Sequence, residues 1–82
     1  MREQEIPEQD ILELDARGDQ CPMPLLKAKR QLNIMESGQQ LRVLATDKGS
    51  VRDFALFAAQ SAHTLVSSGE HDGVYIHVLL KG

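Results

Sequence analysis

Apolar and polar positions change period along this chain, and the changes mark its elements. Ile11-Leu12-Glu13-Leu14-Asp15 partly alternates, as a short half-buried strand does. Arg17-Gly18-Asp19-Gln20 reads as a loop, with Gly18 free to take a positive φ. From Pro22 to about Glu36 the period becomes helical. Leu25, Ala28, Leu32 and Met35 recur at spacings of three and four and form one buried stripe, while Lys27, Lys29 and Arg30 point away from it. Ser37-Gly38 supplies the stop, with Gly38 as a left-handed cap.

Alternation returns from Leu41 to Asp47, where Leu41, Val43 and Ala45 oppose Arg42, Leu44 and Thr46. Ser50 followed by Asp53 resembles a capping box, with Asp in place of the usual Glu. It opens a second helix that runs to about Ala62, with Val51, Phe54, Ala55, Ala58 and Ala62 on one face. A third strand is predicted over Thr64–Ser68. Asp72-Gly73 is a hairpin signal. The last strand has the clearest period of two, with Val74, Ile76, Val78 and Leu80 against Tyr75, His77, Leu79 and Lys81.

The order β-α-β-α-β-β implies an α+β fold. Right-handed crossovers place both helices on one face of a mixed four-stranded sheet, giving a two-layer α/β sandwich with the other face open. Leu44, Tyr75 and Leu79 are expected on that open face. They would make it mildly apolar and able to support self-association or a partner, the alternative being scattered apolar surface.

A chain of 82 residues fits one domain, expected over residues 11–82. A domain of this size buries about 60–65% of its unfolded surface, so its core is thin. Residues 1–10 are polar and acidic and read as a flexible tail. They lack the apolar stretch of a secretory signal, so the expected location is the cytoplasm. No apolar run is long enough to span a bilayer, and no membrane partner is expected. The net charge of −3 gives no support for direct nucleic-acid binding. Lys27, Lys29 and Arg30 nevertheless form a local basic cluster, either a solvated face or a docking surface for an acidic partner.

The candidate chemistry lies in Cys21-Pro22-Met23-Pro24, which holds the single cysteine. Proline is favoured at the first helical position, so Cys21 is expected at or beside the N-cap. There the unpaired N–H groups and the positive end of the helix dipole would favour a thiolate. A free thiol of pKa ~8.5 is about 3% ionised at pH 7, and lowering the pKa by one unit raises that to roughly a quarter. Arg17 and Lys27 would add to the effect if close. Four readings compete. Cys21 is a buried small hydrophobe; or a nucleophile or sulfur carrier; or half of a redox dithiol; or a metal ligand. The dithiol reading lacks a second cysteine. His63, His71 and His77 lack compact zinc-ligand spacing, so no metal is expected. For hydrolysis, His63 is the best candidate base, though nothing in the spacing places it beside the thiol.

These residues resemble the TusA/SirA family of small bacterial sulfur carriers. The likeness starts at Leu14-Asp15-Ala16-Arg17-Gly18 and runs through the Cys-Pro-x-Pro signature at Cys21. It continues at Gly38, Thr46-Asp47, Arg52-Asp53, His63-x-Leu65-Val66 and the C-terminal hairpin. The resemblance implies the same β-α-β-α-β-β sandwich. It also implies that Cys21 accepts a sulfane sulfur as a persulfide from a cysteine desulfurase or rhodanese-like donor and passes it to an acceptor protein. Family branches serve tRNA thiolation, molybdenum-cofactor maturation and sulfur oxidation. Such a carrier is consumed and regenerated by its partners rather than acting as a self-contained enzyme, and it needs no cofactor beyond the covalent sulfur. Arg17, Gly18, Pro22 and Pro24 are expected to shape the site. Met23, Lys27, Arg30 and Arg52 are expected to meet partners. Some relatives carry a second cysteine in the second helix, where Phe57-Ala58-Ala59 has none. A regulatory or adaptor module that binds a partner without carrying sulfur is the alternative.

Overall fold

A computed structural model describes residues 11–82; the acidic tail expected over residues 1–10 lies outside them. The elements are β1 (Ile11–Ala16), α1 (Met23–Asn33), β2 (Gln40–Ala45), α2 (Gly49–Ala59), β3 (Thr64–His71) and β4 (Val74–Leu80). The strands lie in the order β1-β2-β4-β3. β1 pairs parallel to β2, and β4 lies antiparallel to both β2 and β3. The expected α+β sandwich is therefore what the chain forms.

Both helices pack on the same face. Ala28 and Leu32 of α1 and Phe54 of α2 join Leu41, Val43 and Leu79 in one buried cluster. The α1 stripe falls as the spacing predicts, with Ala28, Leu32 and Met35 buried and Leu25 packed against them. The helix ends at Asn33, three residues short of Glu36. The Lys81 ammonium donates to the Leu32 carbonyl at 2.6 Å, satisfying an acceptor that the helix end leaves free. Gly38 has a positive φ but lies five residues past the helix, so it turns the connection rather than capping α1.

Three expectations need correction. First, Tyr75 and Leu79 are not on the open face. Val43 pairs with His77 and Leu41 with Leu79, so the β4 residues opposite the buried side of β2 face the core. Leu44, which pairs with Ile76, does stay on the open face, as Val78 and Leu80 do. β4 is a central strand, apolar on both sides, and its own pattern could not tell the faces apart; the register with β2 decides. Second, α2 is rotated from its expected face. Ser50 and Phe54 are buried and Phe57 is half-buried, whereas Val51, Ala55 and Ala62 are exposed. The helix ends at Ala59, and Ser50 lies inside it and caps nothing. Third, β3 runs on to His71, with a register shift between Leu65 and Ser67 that leaves Val66 exposed. The Asp72-Gly73 turn forms as predicted, both residues having positive φ.

The β4 facing has a direct consequence for stability. Leu79→Ala should cost about 2–5 kcal/mol in urea denaturation. Val78→Thr, one residue away on the open face, should cost less than about 1 kcal/mol. Equal costs would contradict the register.

Candidate active site

The parallel pair β1–β2 ends with Ala16 beside Ala45, so the two connections that follow leave the sheet together. In open α/β sheets this carboxyl end is where chemistry collects. Each loop is held by its own polar contacts. Gly18, at φ 87°, donates its N–H to Thr46 Oγ1 at 2.9 Å and ties the first loop to the second. Lys27 Nζ reaches back from α1 to Asp19 at 2.5 Å. The Gln20 carbonyl accepts from Met23 N–H at 2.8 Å and closes the turn into α1.

This turn presents Cys21 directly before Pro22, which stands at the N-cap rather than at the first helical position. Pro24 occupies an early helical position and is buried. Cys21 itself is exposed. Its N–H donates to Asp47 Oδ2, and the other Asp47 oxygen accepts from Gly49 N–H at 3.3 Å. Asp47 thus joins the cysteine loop to the first turn of α2. Gly49 allows the close approach: a Cβ there would lie 3.1 Å from Cys21 Cβ and 3.2 Å from Sγ. Four residues on, Asp53 Oδ2 accepts from the Cys21 thiol at 2.6 Å.

The electrostatics reverse the expected activation. The hydrogen bond to Asp53, partial desolvation, and the charges of Asp53 and Asp47 all push the Cys21 thiol above its ordinary pKa. Each effect disfavours a second negative charge at the sulfur. The cations expected to help are committed elsewhere. Arg17 grips Asp15 through two bonds of 2.8 and 2.9 Å and holds that carboxyl down at about 2. Lys27 is paired with Asp19. The Asp53 hydrogen bond and the two carboxylate charges thus favour the protonated form of the Cys21 thiol.

Of the expected partner residues, Met23, Arg30 and Arg52 are exposed, and Lys27 is half-buried. Lys27 and Arg30 line an open groove of about 410 Å³ with Leu14, Asp15, Gln31 and Ile34. His63 does not meet the thiol; its Nδ1 accepts from Gly82 N–H at 3.0 Å and its ring lies against Phe57. His77 is buried on β4 and His71 sits at the hairpin beside Asp72. No group of three or more His, Cys, Asp or Glu is arranged to hold a metal among the described residues. Sequence reasoning missed Asp47, Gly49 and Asp53 as site residues. Asp53 had a local signal, but its spacing from Ser50 pointed to a cap.

Fold and site together define a class: a small two-layer α/β domain that presents one exchangeable thiol at the start of a helix. With a single cysteine in the chain, any disulfide or persulfide exchange must involve another molecule. Comparison with known proteins makes the class specific. The family model described as sulfurtransferase TusA matches residues 12–81. The sulfur carrier protein TusA of Allochromatium vinosum is 54% identical over 69 residues, covering 84% of this chain and 90% of that protein. A putative sulfur carrier protein of Neisseria meningitidis is 46% identical over 66 residues, covering 80% and 89%. The crystal structure of a SirA-like protein from Desulfitobacterium hafniense superposes with a TM-score of 0.76 at 27% identity, covering 87% of this chain and 97% of that one. The chain belongs to the TusA family.

The carboxylate at the sulfur sets a testable property. Wild-type Cys21 should alkylate with iodoacetamide more slowly at pH 7 than free cysteine. Asp53→Asn should move its pH–rate profile to lower pH. A lower pKa also weakens the nucleophile, so each unit should raise the rate at pH 7 about threefold. An unchanged profile would show that Asp53 does not hold the thiol proton.

Proposed function

We propose that this protein is a sulfur carrier that holds sulfane sulfur as a persulfide on Cys21. The observation that carries this reading is the exposed single thiol with the Asp53 carboxylate 2.6 Å from its sulfur. Membership of the TusA family and the sulfur-carrier names of its relatives support it.

The chemistry follows from the arrangement. A donor protein, a cysteine desulfurase or rhodanese-like enzyme, presents a persulfide. The Cys21 sulfur attacks the terminal sulfur, the donor S–S bond breaks, and the donor leaves as a thiolate. The Cys21 thiol proton passes to Asp53 as the new S–S bond forms, and then to the departing thiolate. No electrons are gained or lost overall. Delivery to an acceptor protein runs the same exchange in reverse, with the acceptor thiolate attacking the outer sulfur.

A thiol of raised pKa suits a carrier between encounters. Only the thiolate is an effective nucleophile, so the resting state resists adventitious oxidation and alkylation. Asp53 supplies the local base when a partner's sulfur is in place. Exposed Met23, two residues after the cysteine at the start of α1, gives a partner apolar surface to dock on. Lys27 and Arg30 extend that surface for an acidic partner. We place the exchange in the cytoplasm, where free thiols stay reduced.

Intact-mass measurement after incubation with a cysteine desulfurase and cysteine tests the reading. The wild type should gain one sulfur atom, lost again on reduction, and Cys21→Ser should gain none. Loading of the Ser variant, or failure with every desulfurase and rhodanese-type donor tried, would favour an adaptor role. Charge reversal at Lys27 and Arg30 together should weaken donor binding in titration calorimetry while leaving the alkylation profile of Cys21 in place. Unchanged affinity would return both residues to ordinary solvated surface.

A further inference from the structure

Among the described residues, the buried polar side chains are Ser50 and His77, and they are bonded to each other. His77 lies on β4 beneath α2. Its Nε2 is 2.9 Å from Ser50 Oγ, and its Nδ1 is 2.7 Å from Ser68 Oγ on β3. Its ring stacks on Phe54 with centroids 4.6 Å apart and planes 20° from parallel. Burial holds the imidazole below its ordinary pKa, in keeping with a neutral ring. A neutral ring donates from one nitrogen and accepts at the other, so two hydroxyls satisfy it completely. An aliphatic residue would fill this space without any polar partner, and the sulfur exchange described above makes no use of the imidazole.

What the chain of bonds reaches is the first turn of α2. Ser50 follows Gly49, against which Cys21 is packed, and precedes Asp53 by three residues. Phe54 is the next residue after Asp53. His77 therefore grips α2 twice, by a hydrogen bond on one side of Asp53 and by ring stacking on the other. Lys48 at the N-cap makes no side-chain bond to this turn, and Asp47 bonds within it only to Gly49 N–H at 3.3 Å. We propose that His77 is a positioning residue: through Ser50 and Phe54 it fixes the height and rotation of the α2 first turn, and so sets the Asp53 carboxylate on the Cys21 sulfur. Hydrogen bonds direct this placement because they have a required distance and angle, whereas an apolar contact would tolerate rotation of the helix. The carboxylates that face the sulfur are Asp53 on α2 and Asp47 in the loop before it, and both are carried by the segment that Ser50 anchors.

The inference rests on the sulfur-carrier reading only in taking Cys21 as the reacting atom. Alkylation needs no sulfur donor, so failure here and failure of sulfur loading are separate results. The experiment is the pH dependence of iodoacetamide alkylation of the full chain. Ser50→Ala should fold and shift the Cys21 profile down towards that of Asp53→Asn, with about a threefold faster rate at pH 7 for each unit moved. Combined with Asp53→Asn, it should add no further shift. His77→Phe keeps the stack and removes both bonds, and should give the same shift. Leu41→Ala, which weakens the core from β2 and alters neither Ser50, His77 nor Asp53, should leave the profile where it is and so separates positioning from loss of stability. If His77→Phe does not fold, Ser50→Ala decides alone. An unchanged profile in folded Ser50→Ala, or an equal shift in Leu41→Ala, overturns the proposal.

Discussion

The site depends on parallel pairing between β1 and β2. Because the strands point the same way and end together at Ala16 and Ala45, the chain leaves both at one edge of the sheet. Two loops and two helix starts are then forced into one small volume. Antiparallel pairing would send them to opposite ends. Three contacts of Cys21 follow from this: Asp47 on its N–H, Gly49 against its Cβ, and Asp53 on its sulfur. Gly18 and Thr46 stitch the same edge together one step further back.

Crowding at that edge decides the electrostatics. A helix start alone favours an anion by about 0.3–2 kcal/mol. Two carboxylates brought close to the same sulfur oppose it and push the thiol's pKa up. The cations near in sequence do not offset them, because Arg17 and Lys27 already neutralise Asp15 and Asp19. A carrier has reason to be built this way. Its empty thiol must stay quiet in solution and react only when a partner supplies the sulfur to be carried. A permanently ionised thiol would react with whatever electrophile arrived first.

Much of the fold was legible along the chain. The α1 stripe, the β2 alternation and the Asp72-Gly73 turn depend on neighbours within a few residues, and local patterning reports such neighbours. The errors came where distant partners override the pattern. The facing of β4 hung on its register with β2, since both of its sides are apolar. The rotation of α2 hung on His77, which draws Ser50 inward and so turns Val51 outward. Local spacing had assigned Ser50 to a helix cap, a reasonable role for a serine followed by an acid three residues later, but a histidine 27 residues away holds it instead.

The sequence by itself determined the element order, the single thiol before a proline, and the family to which that signature belongs. These are properties of composition and short spacing, which no folding step can alter. Only the tertiary structure decided the state of the thiol. Asp47 and Asp53 lie 26 and 32 residues from Cys21 along the chain and meet it through the parallel sheet edge. Charge acts through space, so the sign of the shift at Cys21 could be read only once those distances closed.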